Sequence, residues 1–362
     1  MFDYLAQYRM LAPQIDEAIH RVLKSGRLIL GPEVEAFEDE FSEFLGGSGF
    51  SIGVGNGTDA VAIALRALEV GPEDEVVTVS NTAVPTVSAI REAGATPVFC
   101  DVDERTGLMD LDLLDSCLTQ RTKAVVAVHL FGNVVDIPRL RTIISGRDVA
   151  VVEDCAQAHG AMLNGVMAGT MGDVGAFSFY PTKNLGAYGD GGMCFTKDRG
   201  LAGRIRSIRM YGFEGQHYSV REGVNSRLDE LQAAVLRVKL QHLPEYIQRR
   251  RAIAERYDTL LGGVVTPVVP GPGVLHAYHL YVVRTAQREK LRAALKESGV
   301  GSAVHYPYAI HRMEAYCFLG YGEGALPVTE KLAGEILSLP MYPELSFEDV
   351  SFVCEAVRCV LD

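Results

Sequence analysis

The hydrophobic residues of the chain follow two alternating patterns in its first two hundred residues. Short apolar runs typical of buried strands lie at EVVTVS (75–80), TPVFCDV (96–102), KAVVAVHL (123–130) and DVAVVED (148–154). Segments with the spacing of an amphipathic helix, such as TVSAIREAG, LDLLDSCL and IPRLRTII, separate these runs. Near-continuous apolar strands that alternate with helices predict an α/β fold with a mostly parallel sheet covered on both faces.

Two further strands of this sheet are predicted at GAFSFY (175–180) and GGMCFT (191–196). The interval between them is too short for a crossover helix, so we expect at least one of the two strands to be antiparallel. Helical patterns flank the sheet at PQIDEAIHRVLKSG (13–26) and at NSRLDELQAAVLRVKLQHL (225–243), and a further helix is expected to run from Pro244 to about Leu261.

The segment GGVVTPVVPGPGV (262–274) is rich in Gly, Pro and Val and indicates a domain boundary. Downstream of it, HLYVVR, REKLRAALKESG and SAVHYPY suggest a small α+β unit. We therefore expect a large domain over residues 1–261, including the N-terminal helices, and a small C-terminal domain over residues 262–362.

The composition narrows the class of protein. The 362 residues are 48% hydrophobic and carry a formal net charge of −12, which speaks against a nucleic-acid partner. No apolar run is long enough to cross a membrane, and the start lacks the order of a secretory signal. The seven scattered cysteines suit reduced thiols better than disulfides or a metal site. We expect a cytoplasmic protein with no membrane partner and no metal.

Two segments of the predicted sheet carry candidate ligand contacts. Asp154 ends an apolar strand, and ligands of open parallel sheets bind beyond the carboxyl ends of the strands. It could equally cap a helix that begins at CAQAHG. The glycine-rich turn in GVGNGTDAVAIAL (53–65) opens a helix whose start favours an anion such as phosphate, whereas a helix capped by Thr58 or Asp59 is the plain alternative.

Lys183 lies in the turn after the strand GAFSFY, within FSFYPTKNLGAYGDGG (177–192). A lysine alone is weak evidence, because most lysines are solvated. A lysine in a strand-exit turn, a carboxylate at a strand end and an anion-binding helix start together are the three contacts that pyridoxal 5'-phosphate needs.

Long motifs in one order resemble the DegT/DnrJ/EryC1/StrS sugar aminotransferases, which have the type I fold of aspartate aminotransferase. The resemblance runs through SGRLILGPEVEAFEDEF, GVGNGTDAVAIALRAL, VVEDCAQAHGA, FSFYPTKNLGAYGDGG, GVNSRLDELQAAVLRVKL and HYPYAIHRMEAY. It implies a central sheet of the seven-stranded type flanked by helices, with the cofactor pyridoxal phosphate bound in the large domain. It also implies a homodimer with shared active sites, and L-glutamate and a nucleotide-linked keto sugar as substrates.

The resemblance also implies roles for single residues. Lys183 matches the Schiff-base lysine and Asp154 the partner of the pyridine nitrogen. The other positions match cofactor contacts, among them a phosphate contact from the second subunit at Asn225; the remaining ones are Gly57, Thr58, Gln157 and Ser178. The HYP…H stretch matches positions near the sugar nucleotide: His305, Tyr306 and His311.

Three features bear on the substrate and leave alternatives open. The lysine at position 183 favours transamination over sugar dehydration, for which relatives carry histidine. KNLGAYGDGG together with NSRLDELQAA most resembles enzymes that aminate C3 of nucleotide-linked 3-keto-6-deoxyhexoses in deoxyamino sugar biosynthesis, with C4 amination as the alternative. Ala83 departs from the family, because many members have an aromatic residue there that stacks on the cofactor. A cofactor-binding sensor without catalysis is the remote alternative.

Several other residues admit both a packing role and a functional one. His129, at the end of KAVVAVHL, suits a hydrogen-bonded core histidine better than a site residue. His159 lies close to the predicted site and fits either role. The basic run RRRAIAER (249–256) is typical of a solvated helix face, with attraction of a diphosphate as the alternative.

Overall fold

The computed structural model describes residues 3–215 and 217–361. Its α-helices are α1 (Tyr4–Ser25), α2 (Pro32–Phe44), α3 (Gly57–Ala67), α4 (Val84–Glu92), α5 (Leu111–Cys117), α6 (Ile137–Ile143), α7 (Arg199–Ile208), α8 (Glu230–Leu240), α9 (Leu243–Leu261), α10 (Arg288–Glu297), α11 (Pro327–Glu335) and α12 (Phe347–Leu361). Short 3-10 turns lie at Leu130–Gly132, Ile310–Arg312 and Glu314–Leu319.

The strands are β1 (Phe50–Val54), β2 (Glu75–Val79), β3 (Thr96–Cys100), β4 (Thr122–Val128), β5 (Ala150–Asp154), β6 (Met162–Leu163), β7 (Val166–Met167), β8 (Val174–Ser178), β9 (Gly192–Thr196), β10 (Thr266–Pro267), β11 (Val274–Leu275), β12 (Tyr281–Arg284) and β13 (Ile336–Leu339). They form one seven-stranded sheet and two three-stranded sheets.

The seven-stranded sheet has the order β1-β9-β8-β5-β4-β2-β3. The four pairings from β8 through β5, β4 and β2 to β3 are parallel. Strand β9 runs antiparallel to both of its neighbours, β8 and β1. The expected α/β fold with a mostly parallel sheet is confirmed, as is the antiparallel strand after GAFSFY. Strand β1 was not anticipated from the hydrophobic pattern.

Buried apolar residues cover both faces of this sheet, as the near-continuous apolar strands predicted. Within β8 and β9 neighbouring side chains point to opposite sides: Ala176 and Cys194 join the cluster that packs under α3 and α7. Phe177 and Phe195 join the cluster that packs under α2 and α8. The sheet is therefore fixed from both sides, and its strand ends form a rigid support for the loops that follow them.

A separate apolar cluster surrounds the sheet formed by β10, β12 and β13. Helices α10 and α12 supply much of it, and the carboxyl-terminal half of α9 contributes Ile253, Tyr257 and Leu261. The predicted domain ends at residues 1 and 362 lie outside the described residues. The division after residue 261 stays a prediction. Helix α9 contributes both to this cluster and to the one under α2 and α8, and so joins the two.

Two helices differ in length from the expectation. Helix α1 begins at Tyr4 rather than at Pro13, because Asp3 caps it by accepting a hydrogen bond from the N–H of Ala6 at 3.0 Å. Helix α8 begins only at Glu230, because Asn225 and Asp229 lie in extended segments that form β-bridges. The helices of residues 3–215 and 217–361 include none that is long and apolar enough to span a membrane.

Candidate active site

A cavity of about 570 Å³ lies beyond the carboxyl ends of the parallel strands β4, β5 and β8. Its lining brings together eight of the predicted site residues, which lie far apart in the sequence. They are Gly57, Thr58, Asp154, Gln157, Ser178, Lys183, His305 and Tyr306. Asn225 and His311 are not part of this lining. The convergence of so many polar groups makes this cavity the candidate active site.

Lys183 lies in a turn that the rest of the fold holds firmly. Its backbone N–H donates to the carbonyl of Tyr180 at 2.8 Å. The next residue, Asn184, donates from its side chain to the carbonyl of Ala277 at 3.0 Å. Burial lowers the pKa of the Lys183 amine to about 8, and the carboxylate of Asp154 acts in the opposite direction. A buried lysine with a lowered pKa is one that reaches its nucleophilic free-base form near neutral pH.

Asp154 is the last residue of β5, and both of its carboxylate oxygens are held. Oδ2 accepts a hydrogen bond from the hydroxyl of Thr86 at 2.8 Å, and Oδ1 accepts one from the N–H of Ala156 at 3.1 Å. The residues that follow Asp154 form turns instead of a helix, so the alternative role as a helix cap is wrong. The carboxylate is held in one orientation at the cavity wall.

An anion-binding cradle is present where α3 begins. Asn56 caps this helix by accepting a hydrogen bond from the N–H of Asp59 at 2.9 Å, so the expected caps Thr58 and Asp59 are wrong. Among the described residues, the N–H groups of Gly57 and Thr58 find no acceptor. A Cβ on Gly57 would lie 2.5 Å from that of Ser178, so only glycine lets the helix start approach the end of β8.

Gln157 is oriented by two hydrogen bonds, one with each of two neighbours. Its side-chain oxygen accepts from the N–H of Phe131 at 2.7 Å, and its amide nitrogen donates to the hydroxyl of Tyr306 at 3.1 Å. His305 hydrogen-bonds through Nδ1 to the hydroxyl of Ser338 at 2.8 Å, and burial lowers the pKa of His305 to about 4. Burial also raises the pKa of Tyr306 to about 12. Both side chains therefore present neutral polar groups at physiological pH.

The other two predicted residues lie elsewhere. His311 is fully buried, with Nδ1 2.8 Å from the hydroxyl of Ser80 and Nε2 3.0 Å from a carboxylate oxygen of Glu330. Both ring nitrogens are occupied, which argues against the predicted substrate contact. Asn225 is exposed and forms a β-bridge with Met210, as a residue that serves a neighbouring subunit would have to be. Its role stays a prediction.

His129 is one of the two histidines for which the sequence allows both a packing role and a functional one. His129 is fully buried at the cavity wall; its Nε2 lies 2.9 Å from Glu153, and its Nδ1 accepts from the N–H of Val135 at 3.0 Å. These contacts favour packing. His129, Glu153 and Cys155 lie within 4.8 Å of one another, but the Glu153 oxygens already accept from backbone N–H groups. These N–H groups belong to Gly169, Met171 and Gly172.

The basic run at residues 249–256 does not form a simple solvated face. Arg250 is buried, and its guanidinium donates to the carbonyls of Tyr278, His279 and Met341 at 3.0, 3.3 and 3.1 Å. Neighbouring Arg249 is exposed as expected. The expectation is wrong for Arg250 because the helix period turns this arginine inward, toward the turn at Tyr278 and His279.

Further lining residues were not identified from the sequence, among them Thr86 and His279. Thr86 lies in a segment that the hydrophobic pattern describes only as a helix, and nothing in that pattern relates it to Asp154. His279 belongs to the HLYVVR motif, which the sequence indicates only as part of the small α+β unit. No local signal marks either residue, since each is recruited by contacts with distant segments.

The residues present fit pyridoxal phosphate. A cradle with two free N–H groups and a hydroxyl suits its phosphate, a carboxylate suits its pyridinium nitrogen, and a lysine with a lowered pKa suits its aldehyde. Sheet order, cavity position and donor set together define the class of aminotransferase-type enzymes that use this cofactor. The described aromatic side chains that line the cavity are Tyr180 and Tyr306 and the imidazole rings of His129, His279 and His305. Ala83 leaves a small side chain at its own position.

The sequence matches the DegT/DnrJ/EryC1/StrS aminotransferase family over residues 10–358. The chain belongs to this family. It is 48% identical to the dTDP-3-amino-3,4,6-trideoxy-alpha-D-glucose transaminase of Micromonospora megalomicea subsp. nigra, over 100% of this chain and 98% of that protein. It is 43% identical to the pleiotropic regulatory protein of Geobacillus stearothermophilus, over 99% and 97% of the two chains.

A solved structure has nearly the same backbone. The X-ray crystal structure of S. venezuelae DesV in complex with a ketimine intermediate matches with a TM-score of 0.96 and 42% identity. The match covers 98% of this chain and 96% of that chain. The predicted family and fold class are confirmed.

Proposed function

We propose that the chain transfers an amino group from L-glutamate to C3 of a nucleotide-linked keto sugar, of the dTDP-3-keto-6-deoxyhexose type. One observation carries the proposal. Lys183, Asp154 and the start of α3, with its two free N–H groups, face a single cavity. The chain that carries them is 48% identical over its whole length to an enzyme named as a dTDP-3-amino sugar transaminase.

The cofactor would be held by residues of this chain. Gly57, Thr58 and Ser178 would bind its phosphate, since their free N–H and hydroxyl groups and the helix dipole attract an anion. Asp154 would face the pyridine nitrogen, and Gln157 would lie near the phenolic oxygen. When bound, pyridoxal phosphate supplies an electron sink for the carbon that loses a proton.

Lys183 is the group that would move that proton. Its amine would be released when the amino donor binds, and it would then take a proton at Nζ and return it to the neighbouring carbon. A lysine whose pKa is about 8 suits both directions, since it exchanges protons near neutral pH. Asp154, locked by Thr86 and Ala156, would keep a negative charge beside the protonated ring nitrogen.

The sugar nucleotide would enter from the side of His305 and Tyr306, which are neutral polar groups of the lining. The Micromonospora relative is named for a sugar with an amine at C3, which favours C3 over C4 as the position aminated here.

All seven cysteines are unpaired, and on that ground we place the enzyme in the cytoplasm. They are Cys100, Cys117, Cys155, Cys194, Cys317, Cys354 and Cys359.

The decisive experiment gives the pyridoxal phosphate-loaded protein L-glutamate and a panel of 3-keto and 4-keto sugar nucleotides, and locates the new amine by NMR. We expect an amine at C3. Lys183→Ala should abolish turnover and the borohydride-reducible bond to the cofactor, whereas Lys197→Ala, at an exposed position after the far end of β9, should change neither. An amine at C4 would overturn the proposed position, and an intact reducible bond in Lys183→Ala would overturn the site.

A regulator without turnover is the second candidate, and the name of the Geobacillus relative is the observation that favours it. Incubation of the loaded protein with glutamate alone distinguishes the regulator from the aminotransferase. An aminotransferase converts its bound cofactor to the amine form with glutamate and releases 2-oxoglutarate. A sensor that only binds the cofactor leaves the cofactor spectrum unchanged.

We also propose a homodimer in which Asn225 of one subunit completes the phosphate site of the other. The support is the exposed position of Asn225 outside its own cavity. Lys183→Ala and Asn225→Ala, each inactive alone at limiting cofactor, should recover roughly one quarter of wild-type activity when refolded together, because half of the dimers gain one intact site. Mixtures no more active than the separate variants would contradict shared sites.

A further inference from the structure

The turn that carries His279 is fastened from several sides. Arg250 donates to its backbone carbonyls, as described above. The side chain of Arg251 donates to the carbonyl of His276 at 2.8 Å. The N–H of Ala277 donates to the carbonyl of Gly132 at 2.8 Å. Two cationic side chains of α9 and the loop after β4 therefore fix the backbone on both sides of His279.

This turn also holds one residue in an unfavourable backbone conformation. Tyr278 has a φ of 43°, in the left-handed region that a bulky side chain avoids. Such strain persists only where the surroundings enforce it, and it is concentrated at functional sites. Here the strained residue directly precedes His279, whose side chain lines the active-site cavity.

The hydrogen bonds of Asn184 determine which nitrogen of His279 carries the proton. The amide nitrogen of Asn184 donates to the carbonyl of Ala277 at 3.0 Å, so its oxygen is the atom that faces the imidazole. That oxygen lies 3.3 Å from Nδ1 of His279. An oxygen can only accept, so Nδ1 carries the hydrogen and Nε2 keeps its lone pair.

The lone pair of Nε2 is available to a ligand. Within residues 3–215 and 217–361, Nε2 makes no hydrogen bond, although His279 is only 8% exposed and borders the cavity. Burial lowers the pKa of His279 well below its usual value, and the charge of Lys183 adds to the effect. Arg250 is the second cation that acts on His279. The nearby imidazoles of His305 and His159 are themselves neutral.

A neutral imidazole with one free lone pair selects its ligand by chemistry. It repels carboxylate and phosphate oxygens, which are acceptors like itself, so neither the amino donor's carboxylates nor the cofactor phosphate suits it. Hydroxyl groups are the hydrogen-bond donors that a keto sugar offers. Resting on the proposed function, we propose that His279 Nε2 accepts a hydrogen bond from a hydroxyl of the sugar ring and so helps to determine which keto sugar is accepted.

The test separates the two half-reactions, each followed by the cofactor spectrum of the loaded enzyme. His279→Asn keeps an amide nitrogen at the place of Nδ1 and removes Nε2. We expect the glutamate half-reaction to stay within about twofold of wild type and kcat/KM for the sugar to fall roughly tenfold. His279→Gln places an amide oxygen near the position of Nε2 and should recover part of that loss.

Sugar analogues provide the matched comparison. Keto sugar nucleotides that each lack one ring hydroxyl, such as the hydroxyl at C2, are given to both enzymes. For the hydroxyl that His279 binds, wild type should lose about tenfold in kcat/KM, and His279→Asn should lose nothing further. A crystal structure of the wild-type enzyme with an amino sugar nucleotide should show a hydroxyl within hydrogen-bond distance of Nε2, and it requires no variant.

Three outcomes would overturn the inference. Equal losses in both half-reactions would show that His279 acts on Lys183 or the cofactor, and unchanged kinetics in His279→Asn would show that it only packs. A wild-type complex with Nε2 facing no hydroxyl would do the same. Failure of the proposed function is distinct from all of these, because then the wild-type enzyme itself would accept glutamate but no keto sugar nucleotide.

Discussion

At the scale of single residues, the hydroxyl of Thr86 determines how Asp154 is presented. It donates to Asp154 Oδ2 at 2.8 Å, and its own oxygen lies 3.0 Å from the hydroxyl of Thr82. Both threonines are buried, so little water competes for these bonds. Thr86 therefore positions Asp154, and we propose that it would act on the cofactor through that carboxylate.

Thr86→Val, which keeps the shape and removes the hydroxyl, should lower kcat about tenfold and leave the KM for glutamate within about twofold. The visible absorbance of the lysine-bound cofactor should also change its pH dependence, because the carboxylate beside the ring nitrogen is less firmly held. Thr86→Ser should behave like wild type in both assays. Valine and serine variants with the same spectra would show that the hydroxyl has no such role.

At the scale of elements, the start of α2 is capped by a residue of α8. The carboxylate of Glu230, only 1% exposed, accepts hydrogen bonds from the N–H groups of Gly31, Glu33 and Val34 at 2.8, 3.0 and 2.9 Å. Gly31 itself offers no side-chain cap. A negative charge at a helix N-terminus is favourable, and it joins the two helices that cover one face of the sheet.

Glu230→Ala should lower the free energy of unfolding by about 2 to 3 kcal/mol, because three buried N–H groups lose their acceptor. Urea unfolding monitored by circular dichroism measures the change. The matched control is Glu297→Ala, an exposed residue in α10, which should stay within about 0.5 kcal/mol of wild type. Equal stabilities of the two variants would contradict the capping role.

At the scale of the whole molecule, several histidines are held neutral inside the fold. Burial lowers the pKa of His159 and His276 to about 3 and that of His305 to about 4. His159 packs against Phe177 and Phe179, and neither of its ring nitrogens makes a hydrogen bond of ordinary geometry within the described residues. Folding therefore opposes protonation of these rings.

The protein should lose stability on mild acidification. Each such histidine takes up a proton near pH 6.5 when unfolded but not when folded, so the unfolded state binds more protons between about pH 6.5 and pH 4. The free energy of unfolding should fall there by about 1.4 kcal/mol per pH unit for each histidine. Urea titrations at several pH values measure the slope.

A variant pair tests the assignment of this slope. His159→Leu should reduce it by about 1.4 kcal/mol per pH unit, because one buried ring no longer resists protonation. The exposed His20→Asn should leave the slope as in wild type. A slope that His159→Leu leaves unchanged would show that other groups cause the acid sensitivity.

The fold could be predicted well from the sequence because its signals are local. Alternating apolar strands and helices are patterns of neighbouring residues, and they predicted the parallel sheet and the antiparallel pairing at β9. The start of α1 was missed, because its pattern continues upstream of a proline that usually begins a helix. Strand β1 was missed because Ser51 and Gly53 interrupt its short apolar run, FSIGV.

The sequence by itself determined which residues were candidates for the site. Lys183, Asp154 and the turn around Gly57 each lie at the end of a recognisable element, and such ends meet at one edge of a parallel sheet. Only the tertiary structure decided which partners orient them. Thr86, Asn184 and His279 gain their roles from hydrogen bonds between segments far apart in the chain. Periodicity reports how a residue relates to its neighbours, whereas a hydrogen bond between distant segments depends on strand order and loop path.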